Sequence, residues 1–346
     1  MELLEKTIKN IGSLDQGSME SAQTRLDNLT KPPGSLGYLE ELAVKIAGIT
    51  AVTLPDVSQK AHIIMVGDHG VVKEGVSAFP QTITAAMVKN FLKGGAAVNV
   101  FANQYNVDIS IADIGMIEKI DDDKLIQTNI KRGTDNILKG PAMSHKEAVE
   151  SIEVGIKIAE QLIDRGKNII GTGEMGIGNT TPSSAIISVV IENSLDEIVG
   201  YGTGLDKKGL ENKKAVINKA LKVNKPQKDD GIDILSKVGG LEIGGMAGVM
   251  LAGAAHRKPV MIDGLISGAA ALIAYLIEPD VINYLIPSHK SVEPGHDKLY
   301  QYLNLRPMFD LNMRLGEGTG AILGMGIVES SIRIIKEMAT FDTLDF

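Results

Sequence analysis

Two carboxylates in this chain sit in glycine-rich segments, and they are the residues best suited to chemistry. Glu317 lies between glycines in Arg314-Leu-Gly-Glu-Gly-Thr-Gly320. Glu174 lies in Gly171-Thr-Gly-Glu-Met-Gly-Ile-Gly-Asn-Thr-Thr-Pro182, just after the apolar run Asn168-Ile169-Ile170. Glycine lets backbone and substrate approach a side chain closely, so Glu317 reads as a catalytic base. Two such loops suggest one site for a phosphorylated small molecule.

Other motifs discriminate less. Gly171-x-Gly173-x-x-Gly176 satisfies the dinucleotide-binding spacing after an apolar run. Glu174 inside it would repel a pyrophosphate, Pro182 is expected to delay the following helix, and no acid stands at a clear strand end about 20 residues on. A single phosphate on the backbone amides of Gly176, Gly178 and Asn179 fits better, with a tight structural turn as the competing reading. Asp68-His69 is either a metal or acid-base pair or an ordinary strand-end polar pair. The six histidines show no metal-ligand spacing, and Pro294-Gly295 is expected to break any register linking His289, Glu293 and His296. No metal is expected. Lys213-Lys214 lies on a polar helical pattern and reads as a solvated face unless a phosphate is near.

Composition narrows the class. With 35 basic and 43 acidic residues the net charge is −8, and no stretch joins Lys and Arg with aromatics. Nucleic acid is therefore excluded as a partner. Glycine, 38 of 346 residues, is clustered beside apolar runs, a pattern of ligand loops. The absence of cysteine removes disulfides, thiolate nucleophiles and cysteine-bound metal, and fits a reducing, cytoplasmic setting. The N-terminal Met1-Glu-Leu-Leu-Glu-Lys-Thr shows no signal-peptide pattern. The longest uncharged apolar stretches, 264–277 and 244–255, fall short of the roughly 18 to 20 residues that cross a bilayer, so no membrane association is expected.

The elements that must position these residues follow from periodicity. Helices are expected over 19–29 and 38–47, separated by Thr30-Lys-Pro-Pro-Gly-Ser-Leu-Gly37. Strands are expected over 60–67, 107–115, 168–172, 259–262 and 281–286. Helices are expected over 81–102 with a break at Gly94-Gly95, then over 146–165, 183–191, 211–221, 244–255, 265–274 and 319–338. Alternating strands and helices predict an α/β fold, a Rossmann-like parallel sheet flanked by helices. A smaller helical domain would come from 1–60 plus 319–346, with 61–318 forming the substrate-binding domain. Ligands in such sheets collect beyond the carboxyl ends of the strands, so the glycine and acid-bearing loops would share one edge.

Taken together, Thr30–Gly37, Gly67-Asp-His-Gly-Val-Val72, Gly75-Val-Ser-Ala-Phe-Pro80, Gly94-Gly-Ala-Ala97, the Gly171–Thr181 loop, Asp263-Gly264, Ser288-His-Lys-Ser-Val-Glu-Pro-Gly-His296 and Arg314–Gly320 occur in an order that resembles the nicotinate-nucleotide:dimethylbenzimidazole phosphoribosyltransferases over nearly the whole chain. The resemblance implies transfer of phosphoribose from nicotinate mononucleotide to 5,6-dimethylbenzimidazole. The products would be α-ribazole 5′-phosphate and nicotinate, for the lower-ligand arm of cobalamin, with neither metal nor cofactor. It implies Glu317 as the general base. Glu174, Gly176, Asn179 and Thr180 would lie beside the mononucleotide, Asp263 and Gly264 near its ribose or base, and Lys213 and Ser291 at its phosphate. Ser77, Phe79, Gln81, Met175 and Leu315 would form the benzimidazole pocket, with Phe79 as core and Gln81 as a helix cap the plain alternatives. The resemblance also implies a homodimer; relatives accept benzimidazoles, purines or phenols, and a benzimidazole preference is expected here. The competing readings are a nicotinamide-dependent oxidoreductase, resting on Gly171 to Gly176, and a non-catalytic small-molecule carrier.

Overall fold

A computed structural model describes residues 1–344. In chain order the helices are α1 (Glu2–Ile8), α2 (Gln16–Asp27), α3 (Tyr38–Thr50), α4 (Ile83–Leu92), α5 (Ala97–Tyr105), α6 (His145–Asp164), α7 (Thr180–Val190), α8 (Leu195–Ile198), α9 (Lys207–Asn224), α10 (Gly231–Val238), α11 (Leu241–Ala255), α12 (Leu265–Ile277), α13 (Pro294–Tyr302) and α14 (Thr319–Glu337). The strands are β1 (Lys60–Gly67), β2 (Val107–Gly115), β3 (Leu125–Gln127), β4 (Ile169–Met175), β5 (Val260–Ile262), β6 (Leu285–Pro287), β7 (His289–Ser291) and β8 (Phe309–Met313). Strands β1 to β6 form one parallel sheet in the order β3-β2-β1-β4-β5-β6, and β7 pairs with β8 in a small second sheet. This is the α/β architecture expected, and its order reverses direction between β1 and β4, where a crevice opens past the strand ends.

The central strand explains why the sheet forms where it does. All of β1 is buried, and Ile63, Ile64 and Met65 have no exposed surface, as a strand covered on both faces requires. Burying each such side chain contributes roughly 1.5–3 kcal/mol. On one face, α6 and α11 meet backbone to backbone: a Cβ on Gly155 would lie 1.9 Å from the Gly245 carbonyl oxygen, and one on Gly248 would lie 1.9 Å from that of Ile152. The glycines of α11 thus serve helix contact rather than a ligand. Helix α14 lies between α3 on one side and β4 and β5 on the other. Arg25 of α2 donates to the Ile335 carbonyl, tying the N-terminal helices to it. Residues 345 and 346, which end the proposed 319–346 segment, lie outside the described residues.

Several local expectations are corrected. Strand β4 runs on to Met175, so Glu174 stands near the end of the strand rather than in a loop. Helix α7 starts at Thr180 with Pro182 in its first turn. Proline is tolerated there, because the first N–H groups of a helix have no intrahelical acceptor. The same rule makes Pro294-Gly295 the start of α13 instead of a break. The strand expected over 281–286 shortens to Leu285–Pro287 behind a 3₁₀ turn, Pro279–Tyr284. The strands β3, β7 and β8 carry too few residues of clear period to be read in advance, whereas α10, with Ile234, Leu235 and Val238 buried at helical spacing, and α13 are helices that were not expected.

Candidate active site

The site is built on the loop that enters α14. Gly316, Glu317 and Gly318 take φ of 83°, 62° and 84°, three left-handed residues in succession. The glycines tolerate this freely, whereas Glu317 stores about 1–3 kcal/mol of strain. Neighbouring strands pin the turn. Asp263, just past β5, accepts from the Gly318 amide (3.2 Å) and the Ala321 amide (3.1 Å), capping α14. Glu174 Oε1 accepts from the Glu317 amide at 3.3 Å, and the His62 ring donates through Nε2 to the Glu317 carbonyl at 3.0 Å.

The Glu317 carboxyl has one oxygen, Oε2, buried without a partner, and it lines a cavity of about 400 Å³. Burial, with the Asp263 charge adding to it, raises its pKa to about 7. A carboxylate so tuned takes up a proton readily near neutral pH. Glu174 is pushed to about 8 by burial, against the pull of the hydrogen bond from the Asn179 side-chain amide.

The cavity has two ends. One is apolar, walled by Phe79, Ile83, Met87, Met175, Ile177 and Leu315. The other is polar, formed by Thr180, Gly202, Thr203, Ser291 and Glu293. Lys213 stands directly behind it: its ammonium donates to Thr180 Oγ1 at 2.8 Å and to the Gly200 carbonyl at 3.3 Å. Burial depresses its pKa to about 8, opposed by Glu293. Glu293 Oε1 accepts from the Gly202 amide at 3.1 Å, and its Oε2 has no partner. Such a buried cation beside hydroxyls and loop amides suits an anionic group, while the apolar end suits a flat ring. Between them stand Glu174, Asp263, His289 and Glu317.

Of the residues singled out from the sequence, Glu174, Gly176, Asn179, Thr180, Asp263, Gly264, Ser291, Phe79, Met175, Leu315 and Glu317 all line this one cavity. Ser77 stands at its rim, with Oγ 3.3 Å from Thr203 Oγ1. Gln81 lies away from the lining and donates to the His69 carbonyl at 3.3 Å instead of capping α4. Phe79, half exposed at the mouth, is not a core residue. The solvated reading of Lys213-Lys214 splits: Lys213 is buried, and only Lys214 meets solvent, paired with Asp196 and Glu211. The Asn179 amide is engaged within the turn, donating to the Gly176 carbonyl at 3.1 Å, so it is not a free phosphate donor. Asp68-His69 resolves as a strand-end pair: Asp68 accepts from the Ile117 amide at 2.8 Å, and His69 Nε2 lies 2.8 Å from Glu242 Oε1 in the interior. Among the described residues, no three His, Asp or Glu side chains converge as a metal site.

The sequence reading missed His289, Glu293, Thr203, Arg314 and the Ile83-Met87 wall. Arg314, His289 and Glu293 lay inside motifs already noted. The wall was visible only as helical periodicity, which a core helix shows equally.

Comparison with known proteins agrees with this geometry. A family profile described as phosphoribosyltransferase matches residues 11–344. A nicotinate-nucleotide:dimethylbenzimidazole phosphoribosyltransferase of Desulforamulus reducens is 52% identical over 343 residues, covering 99% of this chain and 98% of the relative. One from Chloroflexus aurantiacus is 49% identical over 342 residues, covering 99% and 97%. The crystal structure of CobT from Thermus thermophilus superposes with a TM-score of 0.90 at 37% identity, covering 94% of this chain and 98% of that one.

Proposed function

The chain belongs to the nicotinate-nucleotide:dimethylbenzimidazole phosphoribosyltransferase family, and from that premise we propose that it carries phosphoribose from nicotinate mononucleotide to 5,6-dimethylbenzimidazole. The ribosyl C1–pyridinium bond breaks, its electron pair returning to the nitrogen, so nicotinate leaves with a neutral ring nitrogen and no acid is needed. One benzimidazole nitrogen attacks the opposite face and inverts β to α. Its second nitrogen then gives up its proton to the Glu317 carboxylate.

The observation that carries this reading is the Glu317 carboxyl itself: buried, unpartnered at one oxygen, poised near neutrality and part of the lining of a cavity that joins apolar side chains to polar ones backed by the Lys213 ammonium. The polar end supports nucleotide roles for Thr180, Ser291 and Lys213, with Glu174, Asn179 and Gly176 beside the ribose and Asp263-Gly264 across from them. The apolar end supports ring binding by Phe79, Met175 and Leu315, with Ser77 at the rim. Gln81 acts there only through the His69 loop. Positioning two reactants supplies most of the rate, and proton removal roughly 10²- to 10⁴-fold.

Three further parts belong to this reading: a benzimidazole preference within the family's acceptors, a homodimer carried from the family resemblance and working in the cytoplasm, and a division into 1–60 plus 319–346 and 61–318 read from the order of the elements. Among the described residues, no helix is long and apolar enough to cross a membrane. Incubating the protein with nicotinate mononucleotide and equal dimethylbenzimidazole, adenine and p-cresol, with products identified by mass, tests activity and acceptor together. α-Ribazole phosphate should dominate; no product overturns the activity, and a dominant purine or phenol product overturns the acceptor.

A further inference from the structure

His62 stands in the middle of β1, with no exposed surface and outside the set of residues that line the cavity. A lone histidine in a central strand is costly to bury, and its surroundings show what holds it. Three glycines close around the ring: a Cβ on Gly171 would fall 2.6 Å from Nδ1, one on Gly173 2.4 Å from Nε2, and one on Gly318 1.9 Å from Cε1. Two come from β4 and one from the Glu317 turn, so the imidazole fills a slot that no larger residue would leave open. Its single hydrogen bond runs from Nε2 to the Glu317 carbonyl at 3.0 Å, and Nδ1 has no partner.

Burial keeps this ring neutral, its pKa lowered to about 4. A neutral imidazole carries one N–H, and the sole acceptor in reach fixes it on Nε2. The accepting carbonyl belongs to the one non-glycine residue of the left-handed turn. With its amide held by Glu174 and its carbonyl by His62, the Glu317 peptide is clamped at both ends in a conformation it would otherwise leave.

We infer that His62 is a positioning residue for Glu317, its Nε2–H holding the strained peptide so that the carboxyl stays turned into the cavity. This role rests on the proposed transfer reaction. Releasing the carbonyl lets Glu317 relax towards ordinary φ and swing its carboxyl towards water. A shift of about 1 Å in a reacting group costs on the order of 100-fold in rate. The other ionisable groups sharing this cavity are Glu174 from β4, Asp263 after β5, His289 of β7, Glu293 and Arg314. Lys213 stands behind its polar end.

The test compares H62Q, whose terminal amide reaches the Nε2 position and keeps a donor, with H62L, which keeps bulk without one. H62L should lose about 100-fold in kcat with both KM values within about twofold. Its acid limb should move from near 7 towards the ordinary glutamate value of 4.5. H62Q should stay within about fivefold, with its acid limb in place. Equal losses in both variants with an unmoved acid limb, or an H62L that retains kcat, would overturn the assignment. Should H62L not accumulate folded, H62N replaces it, because its amide stops at the Nδ1 position, short of the carbonyl. The Glu317 carboxyl titration, followed by ¹³C NMR as the signal absent from E317Q, reads the same displacement without turnover. A wild-type protein that makes no product therefore sinks the reaction alone, whereas an unmoved carboxyl titration in H62L sinks the positioning role alone.

Discussion

Two histidine–glutamate pairs involve β1 and the loop just after it, and they have opposite designs. His69 and Glu242 face each other side chain to side chain at 2.8 Å, both buried. Burial works against a charged His69, yet Glu242, helped by Asp68 and Glu174, outweighs it and raises the imidazole pKa. His62 instead meets the backbone of Glu317 and leaves its carboxyl without a charged partner, one oxygen buried and unbonded. The first pair directs its electrostatics at itself; the second holds an acid in readiness. Paired buried charge is architecture, and unpaired buried charge at a cavity is reactivity.

This contrast breaks most sharply at Glu317. E317Q should lower kcat by about 10²- to 10⁴-fold while nicotinate mononucleotide still raises the melting temperature. A base must be ionised to accept a proton, so wild-type kcat/KM should fall as pH drops below about 7. A variant that keeps full turnover, or a flat profile through that range, removes Glu317 from the base role.

Next in size is the paired site. E242A removes the side chain bonded to His69 Nε2 and should cost about 3–5 kcal/mol of stability, read by chemical denaturation. E317Q should cost under about 1 kcal/mol in the same assay. If both substitutions destabilise equally, the division between architecture and reactivity fails. K213A addresses the polar end: losing a buried charge-assisted donor worth about 1.5–3 kcal/mol should raise the nucleotide KM by roughly 10- to 100-fold and leave the benzimidazole KM nearly unchanged. A matched rise in both would move Lys213 out of the phosphate end.

The smallest effect concerns Glu174, whose pKa in the fold is about 8 against an ordinary 4.5. A raised carboxyl pKa means the fold favours the protonated form. Its stabilising contribution is whole below pH 4.5 and is lost as pH rises through 8. E174Q, which mimics the protonated acid, should therefore melt roughly 2 to 5 °C above wild type at about pH 8, with the gap closing by about pH 5. A pH-independent difference would show that the carboxyl titrates normally.

How legible was the site? The long strands 60–67 and 107–115 were readable because each holds a short run rich in Val and Ile that ends in glycine, and the helices because their apolar period is about 3.6. Glu317 and Glu174 stood out because glycine beside an acid is a local signature. Gln81 misled because its side chain turns back to the His69 carbonyl, and Lys213 because a buried lysine on a polar helix has the same periodicity as an exposed one. His62 gave no signal at all, since nothing in Lys60–Gly67 distinguishes a core histidine from one that holds a loop.

The sequence by itself determined the order of strands and helices, the glycine-lined turns and the family. All of these are written in neighbours a few residues apart, where backbone preference and hydrophobic period act. Only the tertiary structure decided that His62 and Glu317, 255 positions apart, would share a hydrogen bond, that Lys213 and not Lys214 would turn inward, and that Glu317 would be dry enough to titrate near neutrality. Burial and pairing are properties of what packs around a residue, and those surroundings come from distant segments that only the folded sheet brings together.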